Sequence, residues 1–218
     1  MDVFVLNQEN SIANHFLLEL RDKEIQKNRL RFRNNMVRLG EIMPYEISKK
    51  LDFVAVMVQS PLQSASLFDL QQQPVLITVL RAGLPYFQGF LNYFDQSDSG
   101  FIGAYRKEGK EELTIQLDYL AAPKLSNRTV ILIDPMLATG NSILRSVTAL
   151  LKHGMPLHIY IASLVASSEG VTNLNSQLST LNVKCSLFTV SIDEKLNKEF
   201  YIVPGLGDAG DLSFGEKV

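Results

Sequence analysis

Short apolar runs alternate with helical stretches from about residue 74 onward, and this alternation constrains the fold more than any other feature. The runs are apolar at consecutive positions, which is typical of strands buried on both faces of a parallel sheet. We predict strands at Pro74–Leu80, Phe101–Tyr105, Thr129–Ile133, Leu157–Leu164 and Val183–Ser191. We predict helices between them at Tyr86–Phe94, Ser142–His153 and Ser168–Leu178. The pattern predicts an α/β fold whose central parallel sheet is flanked by helices.

The sequence before this alternation has a different character. Residues from Ile12 to Lys50 are charged and have rough helical spacing, so we predict helices there. The runs Asp52–Val58 and Ser66–Leu70, separated by Ser60-Pro61, predict a hairpin arm, and Glu111–Leu120 predicts a second arm. Because no linker is visible, we expect one domain over residues 1–218. We divide this domain into three parts. Residues from about 1 to 70 form the N-terminal helices and the arm, residues from about 74 to 191 form the core sheet, and residues from about 192 to 218 form a closing segment.

Composition excludes several classes of function. The net charge is −2, which argues against a nucleic-acid-binding module. Cys185 is the only cysteine, so neither an intrachain disulfide nor a cysteine-built zinc site can form. The apolar runs are shorter than the roughly 20 residues of a membrane span, and the first residues do not resemble a secretory signal. These features favour a cytoplasmic globular protein.

An acid and a run of small residues follow the predicted strand Thr129–Ile133 and lead into a helix. The segment consists of Asp134, Pro135, Met136, Leu137, Ala138, Thr139, Gly140, Asn141 and Ser142, and we call it the 134–142 loop. The first N–H groups and the dipole of a helix attract anions, and Gly140 permits close approach of a phosphate. The Asp134 carboxylate suits ribose hydroxyls, so the loop is typical of a ribose 5-phosphate site. An ordinary helix N-cap at Asn141 or Ser142 is the alternative.

Two arginines follow predicted strands. Arg81 comes after Pro74–Leu80, and Arg106 comes after Phe101–Tyr105. The carboxyl ends of parallel strands meet at one edge of a sheet, where ligands bind. Guanidinium groups bind phosphates through paired hydrogen bonds, so the two together indicate a diphosphate site. For either one alone, a surface arginine is the alternative.

Residues 205–210 match the spacing G-x-G-x-x-G. A dinucleotide-binding motif follows a strand, opens a helix and precedes an acid by about 20 residues. Here Pro204 precedes the glycines and the sequence runs only to Val218, so we reject that interpretation. The segment predicts a flexible loop that presents backbone N–H and C=O groups to a small planar base, with a plain C-terminal turn as the alternative.

These segments, in this order, resemble the uracil phosphoribosyltransferase family. The matching residues are Leu80-Arg81-Ala82-Gly83, Tyr105-Arg106, the 134–142 loop and Tyr201 to Asp211. Weaker similarity, including Pro44-Tyr45-Glu46 and Ser191-Ile192-Asp193, covers most of the chain. The closing motif is the most specific of these, because other type I phosphoribosyltransferases share only the loop with its leading acid.

The resemblance implies a type I phosphoribosyltransferase fold with a small hood and a protruding β-arm. It implies a pyrimidine-salvage enzyme that transfers the 5-phosphoribosyl group of phosphoribosyl diphosphate (PRPP) to uracil, giving UMP and diphosphate. Mg²⁺ is the implied cofactor. A homodimer or larger homo-oligomer is the implied assembly, and GTP activates some members.

The resemblance also implies a role for each matching residue. Asp134 would bind the ribose hydroxyls, Leu137 to Ser142 the 5-phosphate, and Arg81 and Arg106 the diphosphate. Asp208 would face PRPP or its metal. The implied catalytic residues are thus Arg81, Asp134 and Asp208. The implied uracil-binding residues are Ile202, Gly207, Asp208 and Ala209.

Three departures from the family pattern leave alternatives open. Asn141 replaces a usual glycine, Pro85-Tyr86 stands where smaller or flexible residues are common, and Lys107 to Glu112 replaces an acidic-threonine run. One alternative is a non-catalytic regulator on the same fold that senses nucleotides or PRPP. The other is the same transfer to a different nucleobase.

Overall fold

The computed structural model describes residues 1–107 and 114–216, without the side chains of residues 104–107 and 114–118. The strands in this part of the chain are β1 (Asp2–Val5), β2 (Phe53–Gln59), β3 (Ser64–Leu70), β4 (Val75–Leu80), β5 (Ser99–Lys107), β6 (Thr114–Ala121), β7 (Thr129–Ile133), β8 (Met136–Leu137), β9 (His158–Ser167), β10 (Cys185–Asp193), β11 (Lys195–Leu196) and β12 (Ile202–Val203). The α-helices are α1 (Ile12–Arg21), α2 (Arg29–Ser48), α3 (Leu84–Leu91), α4 (Asn141–Leu150), α5 (Ser168–Leu178) and α6 (Ala209–Phe214).

One large sheet has the strand order β1-β10-β9-β7-β4-β5-β6, with β8 added beside β9. Its neighbouring strands are parallel except β5 and β6, which are antiparallel. The predicted parallel sheet and its five predicted strands are confirmed. Strand β6 confirms the extended conformation expected at Glu111–Leu120 for its described part. Its first half pairs with β5 past the end of β4, and its second half forms an edge of the main sheet.

Strand β7 shows why these sequences form a sheet covered on both faces. Ile131 and Ile133 pack with α1, α2 and α3 on one face, in a cluster that includes Phe32 and Phe90. The alternating residues Val130 and Leu132 pack with α4 and α5 on the other face. Side chains alternate across a strand, so a strand that is apolar at every position can fill two cores at once.

The helical N-terminal region and the first predicted arm are confirmed. Helices α1 and α2 bury Leu20, Met36 and Leu39 in the core. Strands β2 and β3 form a separate two-stranded antiparallel hairpin, which we call the arm. Several of its apolar side chains are exposed, including Met57 at 70% and Phe68 at 77%. The arm therefore leaves apolar surface uncovered in a single copy of the chain.

None of the helices within residues 1–107 and 114–216 combines the length and the apolar character needed to cross a bilayer.

Candidate active site

The pairing of the central strands brings the predicted site residues to one edge of the sheet. Thr78 of β4 lies opposite Ile133 of β7, so Arg81 and Asp134 both lie just beyond the carboxyl ends of adjacent strands. On the other side of β4, Leu80 lies opposite Gly103 of β5. The backbone of Arg106 lies farther along β5, opposite Ile115, and its side chain is outside the described part. Residues 108–112 of the altered segment after Arg106 are likewise outside it.

Backbone hydrogen bonds to β9 hold the first half of the 134–142 loop. The Asp134 N–H donates to the Ala162 carbonyl at 3.0 Å. The Pro135 carbonyl accepts from the N–H groups of Leu164 and Val165 at 3.0 and 3.1 Å. Met136 and Leu137 then form β8 beside β9. This half of the loop is in effect an extension of the sheet, so its position follows from the fold.

The second half of the loop turns into α4 at Gly140. Gly140 is the N-cap residue and has φ of +80°, a left-handed conformation that glycine adopts without strain. The alternative of an N-cap at Asn141 or Ser142 is therefore wrong. Asn141 is the first residue of α4 and is not among the residues with positive φ. Its replacement of the usual glycine needs no unusual backbone angle.

Helix α5 supports the loop from behind. The Ser167 hydroxyl donates to the Ala138 carbonyl at 2.6 Å, and the Asn173 amide donates to the Thr139 carbonyl at 2.7 Å. Gly170 packs so closely that a Cβ there would lie 1.9 Å from the Ala138 oxygen. Sequence reasoning missed these supports, because no local pattern links α5 to a loop about 30 residues earlier.

Asp134 is only 7% exposed, and one of its carboxylate oxygens accepts from the Met136 N–H at 3.3 Å. The carboxylate is thus oriented by the loop's own backbone. A buried negative charge at this edge of the sheet is suited to bind hydroxyl groups and to stabilise positive charge that develops on a bound sugar.

Arg81 joins the diphosphate side of the predicted site to the C-terminal segment. Its Nη2 donates to Asp211 Oδ1 at 2.8 Å and to the Gly215 carbonyl at 3.1 Å. The peptide bond between Leu80 and Arg81 is cis. Two motifs that are 130 residues apart in the sequence therefore meet through one side chain.

Pro85 and Tyr86, the second departure from the family pattern, belong to the core. Pro85 lies in the first turn of α3, where proline is tolerated. Tyr86 is completely buried with its ring edge against Phe90, and burial raises the pKa of its phenol well above the usual value. Its hydroxyl donates to the Ser163 carbonyl at 3.4 Å.

The C-terminal segment presents backbone more than side chains. Ile202 and Ala209 are 4% and 2% exposed, and both belong to the core cluster that packs against α1, α2 and α3. Gly207 is exposed and has φ of +91°. Asp208 is the N-cap of α6, and its Oδ1 accepts from the N–H groups of Gly210 and Asp211 at 2.8 and 2.9 Å. The segment is therefore a shaped turn at the start of a short helix.

Asp193, at the end of β10, holds the base of this segment. Its two carboxylate oxygens accept from Arg21 at 2.7 and 3.0 Å, and Oδ2 also accepts from the Gly205 N–H at 2.8 Å. The family similarity at Ser191-Ile192-Asp193 includes this aspartate, but its partners Arg21 and Gly205 are 172 and 12 residues away in the sequence. Sequence reasoning therefore assigned it no role.

The donor groups at the site suit a magnesium ion that is carried by a substrate. Among the described residues there is no group of three or more His, Cys, Asp or Glu side chains placed to hold a metal. Asp134 and Asp208 supply carboxylate oxygens, which Mg²⁺ prefers, and Mg²⁺ is commonly bound by one or two carboxylates together with substrate phosphates. The residues present thus fit such an ion without a dedicated protein cage.

Comparison with known proteins identifies the family. The model of the uracil phosphoribosyltransferase family matches residues 7–216. A uracil phosphoribosyltransferase of Porphyromonas gingivalis (strain ATCC 33277) is 44% identical over 219 residues, covering 100% of both chains. One from Pyrococcus furiosus is 37% identical over 206 residues, covering 93% of this chain and 85% of the relative.

A solved structure gives the same result for the fold. The AQ2163 protein from Aquifex aeolicus superposes with a TM-score of 0.87 at 28% identity, over 99% of each chain. The expected type I phosphoribosyltransferase fold is confirmed. The chain belongs to the uracil phosphoribosyltransferase family.

Proposed function

We propose that this chain is an enzyme that transfers the 5-phosphoribosyl group from PRPP to uracil, giving UMP and diphosphate. Family membership supports the reaction. The observation that carries the proposal is the contact between Arg81 and Asp211 at 2.8 Å, which joins the arginine expected on the diphosphate to the motif expected on the base. A ribose held by the 134–142 loop would lie at the same edge of the sheet.

The 134–142 loop binds the ribose 5-phosphate in this proposal. The backbone N–H groups from Leu137 to Ser142 surround the phosphate at the start of α4, where the helix dipole favours an anion. Pro135 and Met136 anchor the loop to β9 and shape the approach to it. Asp134 binds the ribose hydroxyls from its buried position.

The diphosphate leaving group lies against Arg81 and Arg106. Mg²⁺, when bound, neutralises charge on the diphosphate, and Asp208 faces the ion or the sugar through its carboxylate. The Oδ1 atom of Asp208 already caps α6, so Oδ2 is the oxygen that we assign to this contact. Arg81, Asp134 and Asp208 are the catalytic residues in this scheme.

Uracil binds to the backbone of Ile202, Gly207, Asp208 and Ala209. A planar pyrimidine carries both donors and acceptors on its edge, and backbone N–H and C=O groups complement them. The base is then held beside the anomeric carbon of the ribose. Displacement of diphosphate builds positive charge on the sugar and negative charge on the leaving group. Positioning and charge stabilisation can therefore carry the reaction without a nucleophilic side chain.

We further propose that the chain works as a homodimer or a larger homo-oligomer in which the arm contacts a second copy. The exposed apolar residues of the arm, Met57, Phe68 and Leu62 among them, support this assembly, because such residues clustered on one element mark an interaction surface.

The proposal extends to a cytoplasmic location and to GTP as an effector. It also keeps the three-part division of one domain into the N-terminal region with the arm, the core sheet and a C-terminal hood.

An assay of UMP formation tests the reaction. Purified protein with PRPP, radiolabelled uracil and Mg²⁺ is expected to form labelled UMP, and chelation of Mg²⁺ is expected to suppress it. Parallel reactions with GTP test the effector, and competition by hypoxanthine or xanthine tests the base. Folded protein that forms no UMP under these conditions would contradict the proposal. Ligand binding in calorimetry without turnover would favour the regulator instead.

A further inference from the structure

Asp193 connects two elements that are far apart in the sequence. It ends β10, and its side chain is only 5% exposed. The carboxylate forms a paired contact with Arg21 at the end of α1, through Nη1 at 3.0 Å and Nη2 at 2.7 Å. It also accepts from the buried backbone N–H of Gly205 at 2.8 Å.

The bond to Gly205 closes the hairpin that leads to the C-terminal segment. Strands β11 and β12 pair between Asp193 and Gly205, so these two residues mark the entry and the exit of the hairpin. Gly205 has φ of +57°, and a Cβ at this position would lie 2.1 Å from the Ile202 carbonyl oxygen. The conformation and the direction of the Gly205 N–H are therefore fixed jointly by the turn and by the carboxylate.

Arg21 keeps the carboxylate in place. A buried carboxylate needs a compensating charge, and a guanidinium that contacts both oxygens also sets its orientation. The Ser191 hydroxyl accepts from Arg21 Nη2 at 3.0 Å, which ties the arginine to β10 as well. Of the two oxygens, Oδ2 is the one that Arg21 and Gly205 share.

We propose that Asp193 is a positioning residue for the nucleobase, acting through Gly205. The inference rests on the proposed uracil contacts of Ile202 and Gly207 to Ala209. Gly205 lies two residues before Gly207, so a change in its N–H direction passes directly into the backbone that contacts the base. The 134–142 loop is held by β9 and α5, so its proposed contacts with the 5-phosphate and the ribose should change less than the contacts with the base.

The variant Asp193→Asn tests this with both substrates varied in steady-state kinetics. An amide has one acceptor oxygen and one NH2 group, so either Arg21 Nη2 loses its acceptor at the Oδ1 position, or Arg21 Nη1 and the Gly205 N–H lose theirs at the Oδ2 position. We expect the KM for uracil to rise about 10- to 100-fold, while the KM for PRPP stays within about threefold. Equal changes in both constants, or no change in either, would overturn the proposal.

Glu19→Gln is the matched control. Glu19 is also 5% exposed and also pairs with an arginine, Arg31, but its partners Arg31 and Asn35 both lie on α2 and not in the C-terminal segment. We expect this variant to lower the melting temperature and to leave both KM values unchanged. A control that raised the KM for uracil as much as Asp193→Asn does would show that the effect is only one of stability.

Arg21→Lys covers the case in which Asp193→Asn does not fold. It keeps the positive charge and the Gly205 bond but removes the paired contact that orients the carboxylate. A selective rise of about threefold in the KM for uracil supports the proposal, and equal constants for wild type and variant refute it. The wild-type assay distinguishes failure of the proposed function from failure of this inference. If the wild type forms no UMP, the proposed function is contradicted. If the wild type is active but the variants change both KM values equally, only this inference is contradicted.

Discussion

The 134–142 loop and the C-terminal segment from Ile202 to Phe214 form two halves of the candidate site, and different forces hold them. The loop is fixed mainly by backbone hydrogen bonds to β9 and by the close packing of Gly170. The C-terminal segment depends on charged side chains, through the contact of Asp193 with Gly205 and that of Arg81 with Asp211.

This difference indicates how each half responds to change. Backbone bonds within a sheet persist when side chains are substituted, so the loop should be disturbed mainly by a group that intrudes on it. The C-terminal segment relies on a few charged contacts, so single substitutions and salt should affect it. The 134–142 loop, which we assign to the phosphate, is hydrogen-bonded to the sheet through its backbone. The C-terminal segment, which we assign to the base, is held to the sheet by side-chain contacts.

Asp134→Asn should have the largest effect. The amide keeps an acceptor for the Met136 N–H but removes the negative charge. We expect kcat to fall about 100-fold or more, because the carboxylate binds the ribose and stabilises its developing positive charge. The melting temperature should change by less than about 3 °C. Near-normal turnover, measured as UMP formation by folded protein, would remove the ribose role of Asp134.

Gly170→Ala should have the next largest effect and act on the loop alone. The added Cβ would lie 1.9 Å from the Ala138 oxygen, so the loop must shift. We expect the KM for PRPP to rise about tenfold while the KM for uracil changes little.

Gly154→Ala is the control for that variant. Gly154 lies in the connection before β9 and has φ of +120°. A Cβ at this position would lie 2.8 Å from the Ser126 nitrogen. This variant should lose stability and keep the KM for PRPP. If both glycine variants raise that KM equally, the loop is not selectively sensitive to α5.

Asp211→Asn, in the C-terminal segment, should have a smaller effect. The side chains of Arg81 and Asp211 are 38% and 33% exposed, so their ion pair is partly screened. We expect the KM for PRPP to rise about two- to fivefold at low salt, because Arg81 is held less firmly toward the diphosphate. The difference from wild type should shrink at about 0.5 M salt. A variant with wild-type KM at both salt concentrations would show that Asp211 does not position Arg81.

Glu19 should affect stability without affecting the reaction. Hydrogen bonds from Arg31 and then from Asn35 lower the pKa of Glu19 from 4.5 to about 2. The folded state thus favours the ionised carboxylate, and this contribution is present above about pH 4.5 and lost as the pH falls toward 2. Urea unfolding should show wild type losing more stability than Glu19→Gln over this range. Parallel losses would contradict the role of the pair.

Sequence periodicity predicted the central strands because each is apolar over consecutive residues, and β7 was predicted with its observed bounds. Helix α3 begins at Leu84 and not at Tyr86, because Pro85 fits the first helical turn. Strand β1 was missed, since four residues with a polar start give too short a signal. The supports of the site were missed for another reason. Arg21 and Asp193 are 172 residues apart, and only the fold brings them together.

The contact of Arg81 with the Gly215 carbonyl has a consequence for how the site is assembled. The two residues are separated by 134 positions, so the arginine reaches its described geometry only after Gly215 has been synthesised and brought back to the sheet. Contacts of such long range form late because closing so large a loop is entropically unfavourable. A protease cut just before Gly215 would leave the sheet intact and still remove one acceptor of Arg81.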